Sequence, residues 1–267
     1  MDGLRVILAA HQGEIHTCPN NTLPAFESAI KFGVDMIETD IHMTKDGELI
    51  LSHDPTPERF TGIKKPFYEM KMEEVSSIDI GGWFSEKFKG TKVPTVKQLI
   101  QLVKPSDVLI NWELKMYPGY FGDVAYDVAD KLIALIEENG LTERSMMNSF
   151  SNKVLEYIKN KYGNKFVIHG EGINNASYRC VDKADIAPQN LFDWCCMWPK
   201  EKGVKLLDFR DDFDYCLENG VIPCVLAPDK REDDIEFYRK ALEYGVKMFT
   251  TNNVFATDKA LKELGAR

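Results

Sequence analysis

Short apolar runs alternate with amphipathic stretches along almost the whole chain, and that alternation predicts its elements. Strands are expected near 4–10, 35–41, 48–52, 107–114, 145–150, 165–170, 221–227 and 246–250, with another inside 186–207. Helices fit 22–33, 95–104, 123–139, 151–162, 209–219, 231–244 and 257–264. In 123–139, Val124, Val128, Leu132, Leu135 and Ile136 recur at helical spacing and mark a buried stripe. Gly140 follows where a C-terminal glycine stops a helix. Unbroken apolar strands such as Lys165-Phe166-Val167-Ile168 point to burial on both faces, as in a parallel sheet. Strand–helix alternation makes the chain α/β, and over 267 residues a TIM (β/α)8 barrel is favoured over an open sheet.

One stretch breaks the rhythm. Residues 55–94 carry Pro55, Pro57, Gly62, Pro66 and Gly81-Gly82, with a short helix expected at 72–77. So few residues rarely hold a core alone. They read as an insertion after the second strand region, within a single domain spanning 1–267.

Composition narrows the function classes. The formal net charge of −9 and pI near 5.2 argue against a surface built for phosphate-backbone contacts, so no nucleic-acid partner is expected. No run approaches the ~20 apolar residues of a membrane span. Strand-like sequence begins at Leu4, after acidic Asp2, without the apolar core of an export signal. The six cysteines include no Cys-x-x-Cys pair, so reduced, buried thiols and a cytoplasmic location are expected. Nothing in the composition sets the oligomeric state.

Ionisable residues gather where the predicted strands end. His11 closes Val6-Ile7-Leu8-Ala9-Ala10, His53 closes Leu49-Ile50-Leu51-Ser52, Glu38 and Asp40 end a third run, and Glu113 and Lys115 a fourth. Residues two apart on a strand share a face, so Glu38 pairs with Asp40 and Glu113 with Lys115. In a barrel the C-terminal strand ends build the site. Three carboxylates converging there repel one another, and Lys115 alone does not balance them, which favours a bound Mg²⁺ or Ca²⁺. Alone, a Glu-x-Asp is usually a solvated strand end and His11 a structural histidine; their agreement over four strand ends carries the reading. A cation and two histidines fit phosphoester cleavage, with proton abstraction beside a carboxylate left open.

The same residues carry a resemblance. His11-Gln12-Gly13, Asn21-Thr22-Leu23-Pro24-Ala25-Phe26, the run Gly33 to Asp40, Thr44-Lys45-Asp46-Gly47 and His53-Asp54-Pro55-Thr56 resemble the glycerophosphodiester phosphodiesterase family. Arg59 to Gly62, Gly82-Trp83-Phe84, Val93-Pro94-Thr95, Glu113-Leu114-Lys115 and Ser149-Phe150 continue it, mostly over the first 150 residues. The resemblance implies a TIM barrel with 55–94 as its small insertion, and one divalent cation on Glu38, Asp40 and Glu113. It implies His11 and His53 as an acid–base pair assisted by Lys115. It implies release of an alcohol from a small glycerophosphodiester, leaving sn-glycerol 3-phosphate through a cyclic phosphate that water opens. Rivals are a phospholipase-D-like lyase that stops at the cyclic phosphate and a non-catalytic barrel that binds phosphodiesters.

Two positions depart from the family pattern. Gln12 stands where the family has arginine, and Asn20 where it has glutamate. Both charges become amides, which implies that the two side chains touch and changed together. A lost arginine–phosphate contact removes about 1.5–3 kcal/mol, and Gln12 retains one neutral donor as a substrate-binding residue. The family's tryptophan is missing from Pro223-Cys224-Val225-Leu226-Ala227, with Trp194 and Trp198 as possible stand-ins or, by preference, loop packing. Glu171, after His169-Gly170, is a further candidate for contacting substrate, and His42 reads as a surface residue near the mouth.

Overall fold

The computed structural model describes residues 5–171, 191–197, 210–227 and 234–267. Its strands are β1 (Ile7–Ala10), β2 (Met36–Met43), β3 (Leu49–Leu51), β4 (Leu109–Leu114), β5 (Ser145–Ser149), β6 (Val167–Gly170), β7 (Trp194–Met197), β8 (Ile222–Leu226) and β9 (Met248–Thr251). All except β3 run parallel and pair in sequence, and β1 pairs with both β2 and β9, which closes an eight-stranded barrel. The strand expected within 186–207 is β7.

Helix boundaries follow local chemistry. The Thr22 side chain accepts from Ala25 N to start Leu23–Phe32, and Gly33, at φ 91°, ends that helix in the left-handed region. Thr95 and Gln98 form a reciprocal capping box at the start of Val96–Val103. The predicted stripe in 123–139 becomes Val124–Glu138, which buries Val128, Leu132 and Ile136. The last helix starts at Val254, earlier than its apolar spacing shows, because the Asn253 side chain accepts from Ala256 N.

The expectation for 48–52 needs correction. It is no barrel strand: β3 runs antiparallel to β2, with Leu51 opposite Ile41 and Leu49 opposite Met43. The turn between them uses Gly47 at φ 85°, whose N–H donates to Thr44 O. Asp46-Gly47 between two apolar runs is a hairpin signal, and it outranks the parallel rhythm. Beyond β3, the insertion builds a small core of its own around Ile50, Phe67, Val75, Ile78, Ile80 and Val93. Ile50 belongs to the hairpin, so that core is anchored to the barrel wall.

Inside the barrel, side chains form two tiers. Ala9, Met36, Met146, Trp194, Cys224 and Met248 pack together as one buried cluster. Trp194 therefore fills the barrel floor and is no stand-in wall for substrate, while Trp198 lies outside the described residues. The upper tier is polar and buried: Glu38, Asp40, Asn111, Glu113, Asn148, His169 and Glu171. Cys18, Cys195, Cys196, Cys216 and Cys224 are free and buried; Cys180 lies outside the described residues. Among the described residues no helix is long and apolar enough to cross a membrane.

Candidate active site

Strand register assembles the acidic group. Asp40 on β2 is the direct neighbour of Glu113 on β4, and Glu38 sits two residues earlier on the same face. Oxygens of Glu38, Asp40 and Glu113 lie within 4.8 Å of one another. Lys115 Nζ stands 3.1 Å from Asp40 Oδ1 and 2.5 Å from Glu113 Oε1. One buried ammonium thus faces three buried carboxylates.

The imbalance appears in the protonation equilibria. Burial, then Asp40 and Glu113, raise the Glu38 carboxyl well above its usual range. Burial also lifts Glu113 to about 7, against the Lys115 charge. Burial pushes Asp40 upward too, but the Lys115, His53 and His11 charges overcome it and bring Asp40 to about 2. Glu38 Oε1 has no hydrogen-bond partner although it is fully enclosed. An orphaned buried oxygen among hard oxygen donors is what a divalent cation satisfies, so these residues fit one.

The two histidines reach this group by different routes. His11 follows β1, and its N–H donates to Thr251 O at 3.0 Å. Its Nδ1 is 2.6 Å from Asn252 Oδ1, and its Nε2 is 3.8 Å from Glu38 Oε2. His53 comes from the hairpin, not from a barrel strand. Ser52 N donates to Asp40 O at 3.0 Å, which pins His53 beside the end of β2. His53 Nδ1 is 2.8 Å from Asp54 Oδ1, and Asp54 Oδ2 is 3.0 Å from Arg59 Nε.

Gln12 and Asn20 touch, as the paired departure from the family pattern implied. Asn20 Nδ2 donates to Gln12 Oε1 at 2.9 Å, and Gln12 N donates to Glu38 Oε2 at 2.9 Å. The loop is tight: Gln12 has φ 57°, and a Cβ at Gly13 would meet Ala25 Cβ at 2.8 Å. Glu171 lies deeper, where Asn148 Nδ2 donates to its Oε1 at 2.9 Å. His42 is buried, not a surface residue, and burial lowers its pKa to about 4.

Two cavities open at His53. One, of about 310 Å³, is lined by His11, Gln12, Asn20, Arg59, Trp83 and Phe84 among others. The other, of about 580 Å³, includes His42, Lys115, Tyr68, Tyr117, Tyr120 and Phe121. Trp83 and Phe84 give the first cavity an aromatic lining from the insertion.

Asn252 carried no early signal, and Asn21 stood in the Asn21-Thr22 motif without a role assigned to it. Asn21 Nδ2 donates to Asp40 Oδ2 at 2.7 Å, while Asn21 Oδ1 accepts from Thr39 Oγ1 at 2.8 Å. Its φ of 52° marks a residue held in the left-handed region to aim that amide. Asn252 orients His11 from the far end of the chain. In sequence, Asn252 is visible only as an asparagine between a strand end and a helix start.

Comparison with known proteins agrees with this geometry. A glycerophosphodiester phosphodiesterase from Caldanaerobacter subterraneus subsp. tengcongensis is 34% identical over 160 residues, 58% of this chain and 63% of that protein. One from Bacillus altitudinis is 33% identical over 146 residues, 53% of this chain and 56% of that protein. The alignments thus span about three fifths of those relatives' lengths. An Oleispira antarctica phosphodiesterase, solved with the product sn-glycerol-3-phosphate, superposes with a TM-score of 0.79 at 16% identity over 97% of each chain. A glycerophosphodiester phosphodiesterase from Agrobacterium tumefaciens gives 0.72 at 20% identity, covering 95% of this chain and 99% of that one. The family's sequence profile extends well past the early motifs, matching residues 11–254, and by that match the chain belongs to the glycerophosphoryl diester phosphodiesterase family.

Proposed function

We propose that this protein hydrolyses small glycerophosphodiesters to an alcohol and sn-glycerol 3-phosphate, with His11 and His53 as the acid–base pair. The observation that carries it is the pair of imidazoles flanking a three-carboxylate group that fits a divalent cation. Glu38, Asp40 and Glu113 would hold Mg²⁺ or Ca²⁺; such an ion neutralises charge on phosphate oxygens.

The histidine partners divide the labour. Asn252 Oδ1 can only accept, so His11 Nδ1 carries the hydrogen and Nε2, on the Glu38 side of the ring, is the basic nitrogen. His11 is therefore set up as the base that takes the proton from the attacking hydroxyl. Asp54 offers a carboxylate to His53 Nδ1, which holds a hydrogen on that nitrogen and orients the ring. His53 is set up to protonate the leaving oxygen. Lys115 places positive charge beside the phosphate, and Gln12 supplies a neutral donor where the family has a cation.

The test is release of glycerol 3-phosphate from a panel of glycerophosphodiesters, with and without chelator, beside His53→Ala. Turnover should require the cation and fall about 10²–10⁴-fold in the variant. Chelator-insensitive turnover, or full activity in His53→Ala, would overturn the reading.

A further inference from the structure

The barrel interior holds a second group of ligand-type side chains, unlike the first in chemistry. A ring nitrogen of His169 on β6, a carboxylate oxygen of Glu171 just beyond it and Cys196 Sγ on β7 lie within 4.8 Å of one another, all buried. We propose that His169, Glu171 and Cys196 form a second cation site, selective for a borderline ion of the zinc class over Mg²⁺ or Ca²⁺.

Donor type argues for the selectivity. A thiolate and an imidazole are poor ligands for hard cations and good ones for zinc-like ions, whereas Glu38, Asp40 and Glu113 offer oxygen alone. Zinc bond lengths place neighbouring donors about 3.5 Å apart. The three side chains therefore need only a small inward adjustment.

The surroundings argue for an occupant. His169, Glu171, Cys196, Asn111 and Asn148 line a cavity of about 10 Å³, the space of a single water-sized guest, whose opposite wall is Glu38, Glu113 and His11 of the first site. Asn111 Oδ1 and Asn148 Oδ1 are enclosed there without hydrogen-bond partners. Asn148 also orients a proposed ligand, its Nδ2 donating to Glu171 Oε1 at 2.9 Å. Ligands held from behind by hydrogen-bonding partners recur around metal ions. Charge points the same way: Glu171 adds a fourth carboxylate to a pocket where Lys115 is the ammonium in contact, and one hard cation leaves that group net negative. Binding forms a Cys196 sulfur–metal bond and releases the thiol proton to solvent.

The test uses Cd²⁺ as probe on the full chain after dialysis against chelator. One Cd²⁺ per chain should give an ultraviolet thiolate-to-metal charge-transfer band. The band should vanish in Cys196→Ser and persist in Cys224→Ser, whose thiol lies 3.5 Å from His169 Nε2, and in Asp40→Asn. Absence of the band in the folded wild-type chain, or an equal band in Cys196→Ser, overturns the proposal. Should Cys196→Ser fail to fold, Glu171→Gln replaces it, with at least tenfold weaker Cd²⁺ binding expected and unchanged affinity overturning. The readout involves no substrate, so failure here is separate from failure of the phosphodiesterase reading.

Discussion

Glu113→Gln should stabilise the cation-free protein at neutral pH, and supplying the cation should remove most of that advantage. Burial holds the Glu113 carboxyl at about 7, against 4.5 for an unperturbed glutamate. Below 4.5 the group is protonated in both folded and unfolded chains and costs nothing. Between 4.5 and about 7 the unfolded chain has released a proton that the folded chain keeps, so stability falls as pH rises. The accumulated penalty is about 3 kcal/mol at pH 7. Glutamine carries no such penalty.

Absolute pH curves would hide this. Burial lowers His42 to about 4 and His169 to about 3, so both oppose folding at low pH and raise stability as pH climbs toward 6.5. Those contributions cancel when variant and wild type are compared at each pH. In chelator, Glu113→Gln should match wild type near pH 4.5 and exceed it by about 3 kcal/mol at pH 7. With cation at one hundred times its dissociation constant, wild type gains about 2.7 kcal/mol. The variant, short of a ligand, gains less, so its advantage shrinks by up to about 2.7 kcal/mol. Urea denaturation across pH 4.5–7.5, with chelator or with Mg²⁺ or Ca²⁺, reads both effects. A difference that stays constant with pH, or one that the cation leaves unchanged, would refute the reasoning.

Asp54→Asn removes the carboxylate from His53 Nδ1 while keeping the side chain's shape. Turnover of diesters with poor leaving alcohols should drop about 10-fold or more, and diesters with good leaving groups should be spared; an equal drop for both would remove the acid role from His53. Gln12→Arg restores the family's cation above Glu38 and should alter substrate preference by about 1.5–3 kcal/mol in kcat/KM. Unchanged kinetics across the whole diester panel would show that position 12 does not meet the substrate.

The barrel was legible because burial on both faces leaves long apolar runs, and their spacing repeats through the chain. The same rule misplaced β3. A three-residue strand, Leu49–Leu51, looks like any other apolar run, and only the Asp46-Gly47 turn separates a hairpin from a crossover. The consequence is chemical: His53 reaches the mouth by folding back along β2, so its position depends on the Ser52 N–H bond to Asp40 O.

The charged half of the site was legible for a related reason. Carboxylates at the end of an apolar run are costly to bury, and that conflict is visible in one dimension. The amides that aim them are not. Asn252 is 241 residues from His11, and Asn21 reaches Asp40 across 19. Asparagine at a strand end or helix start has ordinary local uses, so the sequence shows neither what Asn252 orients nor which carboxylate Asn21, though part of a family motif, reaches. Gln12 and Asn20 show the converse case. Two amides where a family carries opposite charges were legible as a pair, and the structure hydrogen-bonds them at 2.9 Å. The net charge of the pair is zero with either set of residues. What changes is the field at Glu38, whose Oε2 accepts from Gln12 N. A cation at position 12 would oppose the burial that raises the Glu38 carboxyl; a glutamine leaves that work to a bound ion and to Lys115.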